Sequence, residues 1–246
     1  MKRVYISSSI SNFRRNLRSR YWDYAEFQWF SKDPTLFFGM YHIGDYLRLI
    51  LHGGHATIFW CGSDILQIKK SLLWRLSGCR NVVENVREQR ALSNYGIMSE
   101  IHPMLFDNPN KYSVTYEPSD TPTVWLTYHL GREEEYGVWR FLDIARQVPE
   151  LRFRFFNGAT AIRDFDEITS KYQATVRFNE FDGASENMTK ALLRGQYVFT
   201  VIPYPHVESF SDEKELVELL KDLKNRKEVN PAEKMWREIL TKRVEV

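Results

Sequence analysis

Four short polar stretches carry the residues able to do chemistry in this chain: Gly62-Ser63-Asp64, His129 to Arg132, Asn157-Gly158, and Asp182 to Asn187. Each follows an apolar run that reads as a strand, and each leads into a segment with helical spacing. The last is the most informative. Asp182-Gly183-Ala184-Ser185 is a small polar loop, after which Met188, Ala191 and Leu192 recur at core-facing helical spacing as far as Gly195. Glycine reverses the chain at low steric cost, so Gly195 is placed to end that helix. A loop feeding the amino end of a helix offers backbone N–H groups and a partial positive charge, which suits an anion and a diphosphate in particular. An ordinary loop–helix–strand connection has the same pattern, and both readings stand at this point.

The elements that must hold these loops alternate along the chain. Strands are predicted at 3–6, 36–40, 56–60, 81–83, 97–101, 123–128, 151–156, 176–178 and 196–202. Helices are predicted at 43–52, 65–76, 85–95, within 133–148, at 162–172, at 212–224 with Ser211 as cap, and at 231–241 with Pro231 in the first turn. Strand and helix alternating at this spacing argue for parallel sheets covered on both faces. Ligands in such sheets bind beyond the carboxyl ends of the strands, where all four polar stretches fall. The rhythm breaks at 107–122, where Asn108, Pro109, Asn110, Pro118, Ser119, Asp120 and Pro122 are turn and linker residues. Two domains are expected, 1–110 and 111–246, with the terminal helix able to pack back on the first.

A chain of 246 residues has room for one large domain or two small ones, and 43% hydrophobic residues suffice for a core. Aromatics at 15% serve a large-residue core more often than a stacking surface. A net charge of +2 with well-mixed signs gives no strong field for nucleic acid or membrane. Cys61 and Cys79 form neither a metal-spaced pair nor a disulfide framework, which fits a reducing compartment. No apolar run approaches membrane-spanning length and the first residues lack a signal-peptide core, so a soluble cytoplasmic protein is expected. Arg14, Arg15, Arg18 and Arg20 precede Tyr21, Trp22, Tyr24, Phe27, Trp29 and Phe30. This stretch either grips an anionic acceptor or membrane surface weakly, or is a solvated helix leading into core aromatics. His42, His55, His129 and His206 show no metal-ligand spacing. Asp164-Phe165-Asp166 has the form of a metal-binding triplet, but it lies in a predicted helix and arises by chance at this length, so it receives no metal role.

Several segments together resemble a compact GT-B glycosyltransferase, close to glycosyltransferase group 1 or family 4. TVWLTYHLGREEEYGVWRFLDIARQVPELRFRFFNG is similar to the opening strand–loop–helix–strand of that family's donor domain. FNEFDGASENMTKALLRGQYVFT resembles its acidic loop and following helix, and ATIFWCGSDIL its acceptor-domain segment. NVVENVREQRALSNYGIMSEIHPMLF resembles the strand–helix–strand that leads to the interdomain linker. The resemblance implies an α/β fold of two Rossmann-like domains facing a cleft, the N-terminal one reduced. It implies sugar transfer from a UDP- or GDP-linked donor to a hydroxyl of a glycan, lipid or protein, with no metal, no other cofactor and no nucleic acid.

Charge builds on the leaving diphosphate in such a reaction, so fixed cations or N–H donors are needed there. Gly131, Arg132, Asn157, Gly158, Gly183, Ser185 and Asn187 are the implied donor contacts, and Asp182 the contact to a donor-sugar hydroxyl. Arg132 supplies a planar fork for phosphate, or else pairs with Glu133 to Glu135. Asp64, with Ser63 beside it on the acceptor side, orients or deprotonates the acceptor hydroxyl, or else caps the helix after it. The chain departs from the family at three places: Lys190 stands at the second acidic position, Tyr136 precedes Gly137 where Lys is usual, and Ser7 to Ser9 replace a glycine-rich loop. A GT-B-like sugar-nucleotide epimerase and a non-catalytic nucleotide- or glycan-binding module are the alternatives.

Overall fold

The apolar runs pair edge to edge, and among the described residues every strand pairing is parallel. The computed structural model describes residues 1–13, 24–105, 107–157, 164–180 and 183–242. These form two units: Met1–Asn108 with Phe181–Ala184 and Ile239–Val246, and Pro109–Glu180 with Ser185–Glu238.

The first unit contains β1 (Arg3–Ile6), β2 (Ala25–Glu26), β3 (Thr35–Phe38), α1 (Ile43–Leu51), β4 (Ala56–Phe59), α2 (Leu73–Ser77), β5 (Arg80–Val83), α3 (Val86–Ser93) and β6 (Glu100–Ile101). Its sheet runs β2-β1-β3-β4-β5-β6. Alternate residues of each central strand enter opposite cores, which is why these strands read as continuous apolar runs. Phe37 and Ile58 pack with Tyr46 and Leu49 of α1. Leu36, Phe38 and Phe59 pack with Val4, Ile6 and Val82 on the other face. Asn85 caps α3 by accepting the Glu88 N–H at 3.0 Å. Within Ile239–Val246, the Lys242 carbonyl meets His102 Nε2 at 2.7 Å.

The second unit contains β7 (Thr123–Tyr128), α4 (Val138–Gln147), β8 (Arg152–Asn157), α5 (Phe165–Ser170), β9 (Ala174–Arg177), α6 (Glu186–Leu193), β10 (Tyr197–Thr200), β11 (Glu208–Ser209), α7 (Glu213–Asp222) and, up to Glu238, α8 (Ala232–Thr241). The sheet order is β11-β10-β9-β7-β8. Val124, Leu126, Phe141, Ile144, Val176, Phe199 and Leu216 share its core. Arg237 on α8 donates to the carbonyls of Pro109, Tyr112 and Leu193 at 3.0, 2.8 and 2.8 Å.

Three local expectations are corrected. The helix expected over 65–76 is broken into tight turns at Ser63–Gln67 and Lys70–Leu72 before α2 begins. Ile65 and Ile68, three residues apart, both reach the core, a spacing that three-residue turns serve directly. Asp212, not Ser211, caps α7, accepting the Glu215 N–H at 2.9 Å. The strand expected over 97–101 is reduced to two residues, Glu100–Ile101. The basic–aromatic residues Arg14 to Trp22, and the expected donor contacts Gly158 and Asp182, lie outside the described residues.

Candidate functional site

In the second sheet the chain steps from β7 to β8 on one side and then to β9 on the other. At such a reversal the loops diverge and leave a crevice beyond the strand ends. Arg177, the last residue of β9, is 8% exposed there and donates from Nη1 to the Thr127 hydroxyl at 3.0 Å. Asn187, in the first turn of α6, directs Nδ2 to the same hydroxyl at 3.4 Å. The Tyr136 ring lies 5.8 Å from the Arg177 guanidinium, and His129 meets Tyr136 edge-on at 5.2 Å. Burial pulls the Arg177 pKa down, and the phenols of Tyr136 and Tyr204 oppose that shift. Guanidinium stays charged under such conditions, so this is a positive group at the strand ends. The Ser185 side chain makes no cap bond to α6; its carbonyl accepts the Thr189 N–H at 2.9 Å. The positive end of that helix dipole therefore begins beside Asn187.

Gly137 makes the close fit of this region. Its φ is +69°, and a Cβ there would lie 2.5 Å from the Phe178 side chain. The loop after β7 can press on the end of β9 only where no side chain intervenes.

Among the described residues, the other expected donor contacts make no hydrogen bond to Thr127; of these, Arg132 reaches the cluster through the Tyr136 ring, 5.5 Å from its guanidinium. Gly131, with φ +80°, sits on an open turn. Arg132 donates from Nε to Glu135 Oε2 at 2.7 Å, so it forms the ion pair that was one of its two readings. Glu135 also holds the Arg132 pKa above its ordinary value. About half of the Arg132 side chain is exposed (53%), so the pair adds little stability. Asn157 ends β8, in register with Tyr128. Gly183 groups with the first unit, where a Cβ would lie 1.7 Å from Glu84 Oε2. Glu84 accepts backbone N–H groups from Ala184 and Met104.

Lys190 pairs with Asp166 at 3.2 Å and Glu186 at 3.7 Å, and its ammonium lies 5.6 Å from the Tyr112 ring. Arg194 meets the other oxygen of Asp166 at 3.2 Å. The lysine at the family's second acidic position is thus tied to the Asp-Phe-Asp triplet, whose Asp166 faces two cations. Among the described residues no cluster of three or more His, Cys, Asp or Glu has metal-binding geometry.

Asp64 requires a correction. It has no exposed surface, and its oxygens accept the N–H groups of Met40 at 2.9 Å and Cys61 at 3.0 Å. A carboxylate so enclosed fastens the loops after β3 and β4 and is not open to an acceptor hydroxyl. Burial lifts its pKa to about 7 against the pull of those N–H groups. Ser63 beside it is exposed. Glu84 and Glu88 follow β5, and the Glu84 N–H donates to Glu88 Oε2 at 2.6 Å. Burial raises both, Glu88 to about 8.

In the same unit, at the change of direction between β1 and β3, Asp45 accepts from Tyr5 Oη at 2.5 Å and Ser7 Oγ at 2.9 Å. Ser9 Oγ lies 2.7 Å from His42 Nε2. Sequence reasoning named these serines and His42 separately but missed their meeting, and it missed Arg177 and Thr127. The available signal was a charged residue closing the buried run Ala174–Arg177, where solvent does not explain a guanidinium.

Two parallel α/β sheets with these strand-end loops are the GT-B fold, the architecture of the GT-B glycosyltransferases. The chain is similar to the pneumococcal O-GlcNAc transferase GtfA solved with UDP and GlcNAc, at 12% identity and TM-score 0.55, over 85% of this chain and 54% of that one. It is similar to the lipopolysaccharide outer core galactosyltransferase WaaB in its apo form, at 12% identity and TM-score 0.56, over 98% and 94% of the two chains. Sucrose-phosphate synthase from Thermosynechococcus elongatus gives 12% identity and TM-score 0.55 over 84% and 68%. The chain spans about half the length of these first matches, 54% of GtfA and 55% of the chain it matches in the GtfA/B complex. No family model and no curated protein matches the sequence.

Proposed function

We propose that this chain binds a nucleotide sugar and transfers its sugar to a hydroxyl-bearing acceptor. The observation that carries the reading is the convergence of Arg177, Thr127 and Asn187 at the reversal of strand order, beside the amino end of α6. In the reaction the bond from the anomeric carbon to the diphosphate oxygen breaks, a bond to the acceptor oxygen forms, and the acceptor proton leaves to a base. Negative charge accumulates on the departing diphosphate. Arg177 and the backbone N–H groups opening α6 meet that charge, and Thr127 holds the Arg177 fork and the Asn187 amide in register. Ser185 and Asn157 flank the same strand ends, and Asp182 takes a donor hydroxyl by the family resemblance. The positive charge comes from protein groups, so turnover is expected to survive chelation of divalent ions. Asp64 holds acceptor-side loops in place in this reading, and the proton goes elsewhere.

GtfA was solved with UDP and GlcNAc, which makes UDP and UDP-sugars the first ligands to try. Calorimetric titration with UDP, GDP and their sugars is expected to give binding for one nucleotide. Arg177→Ala should weaken it by about tenfold or more, and Arg132→Ala by less than about twofold. No binding across the panel would overturn the proposal. The enclosure of Asp64 favours one second reading, a nucleotide-binding module without turnover. Binding that persists while product fails to form with every acceptor class would select it.

A further inference from the structure

Helix α1 is apolar on two sides. Its inner side buries Tyr46 and Leu49, while its outer side leaves Ile43, Leu47, Ile50 and Leu51 exposed by 63, 49, 37 and 43%. Residues four, seven and eight positions beyond Ile43 fall on one stripe of a helix. Arg75 on α2 donates to the carbonyls of Leu49 at 3.3 Å and His52 at 3.0 Å, so α2 lies against the carboxyl end of α1. Beside that contact Trp74 is 68% exposed. The turn before α2 is tied to α1 by the Tyr46 hydroxyl on the Gln67 carbonyl at 3.4 Å, and it exposes Leu66 by 59%. Single exposed apolar residues are ordinary, but a run of them on adjoining elements marks a surface that something covers.

Charge identifies the covering. Between residues 43 and 77 the only carboxylates are Asp45 and Asp64, and both are buried. Lys69 and Lys70, in the turn beside the stripe, are exposed. The face is therefore apolar and cationic with no exposed acid of its own. A second copy docked through the same segment would bring it no exposed carboxylate to meet the lysines. An anionic bilayer answers both features, since acyl chains receive the aliphatic stripe, the headgroup layer receives Trp74, and lipid phosphates receive the lysines.

We propose that this face, the outer side of α1 with Leu66, Lys69, Lys70 and Trp74, docks the first unit onto an anionic phospholipid surface. The inference goes beyond sugar transfer and is read without donor or turnover. The test is cosedimentation of the full chain with vesicles of phosphatidylcholine plus phosphatidylglycerol, and with phosphatidylcholine alone. Binding is expected to the first and to fall with added salt. Lys69→Gln with Lys70→Gln should weaken it about thirtyfold at physiological ionic strength. Leu47→Asp should abolish it, with an unchanged melting temperature and unchanged nucleotide affinity as controls for folding. Equal binding to both vesicle types, or to neither, overturns the proposal. So does a concentration-dependent dimer that Leu47→Asp dissolves while vesicles bind nothing.

Discussion

Arg177 and Asp64 show how burial reassigns the work of a charged side chain. Each ends or follows a strand, and only one stands among groups that suit a diphosphate. Asp64→Ala would strip the acceptor from the N–H groups of Met40 and Cys61, so it should destabilise the fold by about 2 to 4 kcal/mol. Urea unfolding measures this directly. A base would behave oppositely, with turnover lost at constant stability, and that outcome would restore Asp64 to the chemistry. Gly137→Ala meets both a left-handed φ and the Phe178 ring, so a loss of about 2 to 4 kcal/mol is expected. The same substitution at Gly131, where a Cβ meets nothing within 4 Å, carries only the cost of the left-handed φ, about 1 to 2 kcal/mol. Paired unfolding curves for the two variants separate packing from backbone strain.

The helices were legible from spacing, and their ends were less so. Asp212 and Ser211 are both good capping residues, and sequence alone does not say where the chain turns into α7. The structure gives the N–H of Glu215 to Asp212, while Ser211 only touches the Glu215 carboxylate. Asp212→Ala should therefore cost about 1 kcal/mol and Ser211→Ala less than about 0.5 kcal/mol. Thermal melts of the two variants check the assignment, and a reversed order would move the cap. The segment 65–76 failed as one helix for a related reason. Its apolar residues suit a helix locally, but the burial of Asp64 and Ile65 beneath the β4 loop sets a tighter turn first.

For the molecule as a whole, the buried carboxylates set an alkaline limit. Asp64 at about 7, Glu88 at about 8 and Glu84, raised well above its ordinary value by burial, all hold protons in the fold that the unfolded chain has already released. A raised carboxyl contributes stability fully below its unfolded pKa, and that contribution is lost as pH rises through its folded pKa. His52 and His102 act at the other end. Burial lowers both, so their contribution is present above the unfolded value and is lost as pH falls. The carboxyl contribution is lost between the ordinary values of 3.8 and 4.5 and the folded values of about 7 and about 8, so stability should fall from mildly acidic pH toward alkaline pH. Glu88→Gln should flatten that fall between the ordinary value of 4.5 and about 8 in melting temperatures measured across pH. An unchanged slope would mean that Glu88 is ionised in the fold.

The sequence by itself determined the kind of molecule. Alternating apolar strands and amphipathic helices follow from local residue order, because side-chain direction repeats with the backbone's own period. That period is visible in strands such as Arg3–Ile6 and Thr123–Tyr128, whose bounds match the reading. The order of segments carried the resemblance to GT-B proteins, and the fold agrees. What only the tertiary structure decided was the partner of each polar side chain. Arg132 closed on Glu135, Lys190 on Asp166, and Asp64 on two backbone loops. Arg177 reached Thr127 across 50 residues because β9 lies next to β7. Strand order is a long-range outcome of packing, and which charge is buried beside which hydroxyl is written there, not in local spacing.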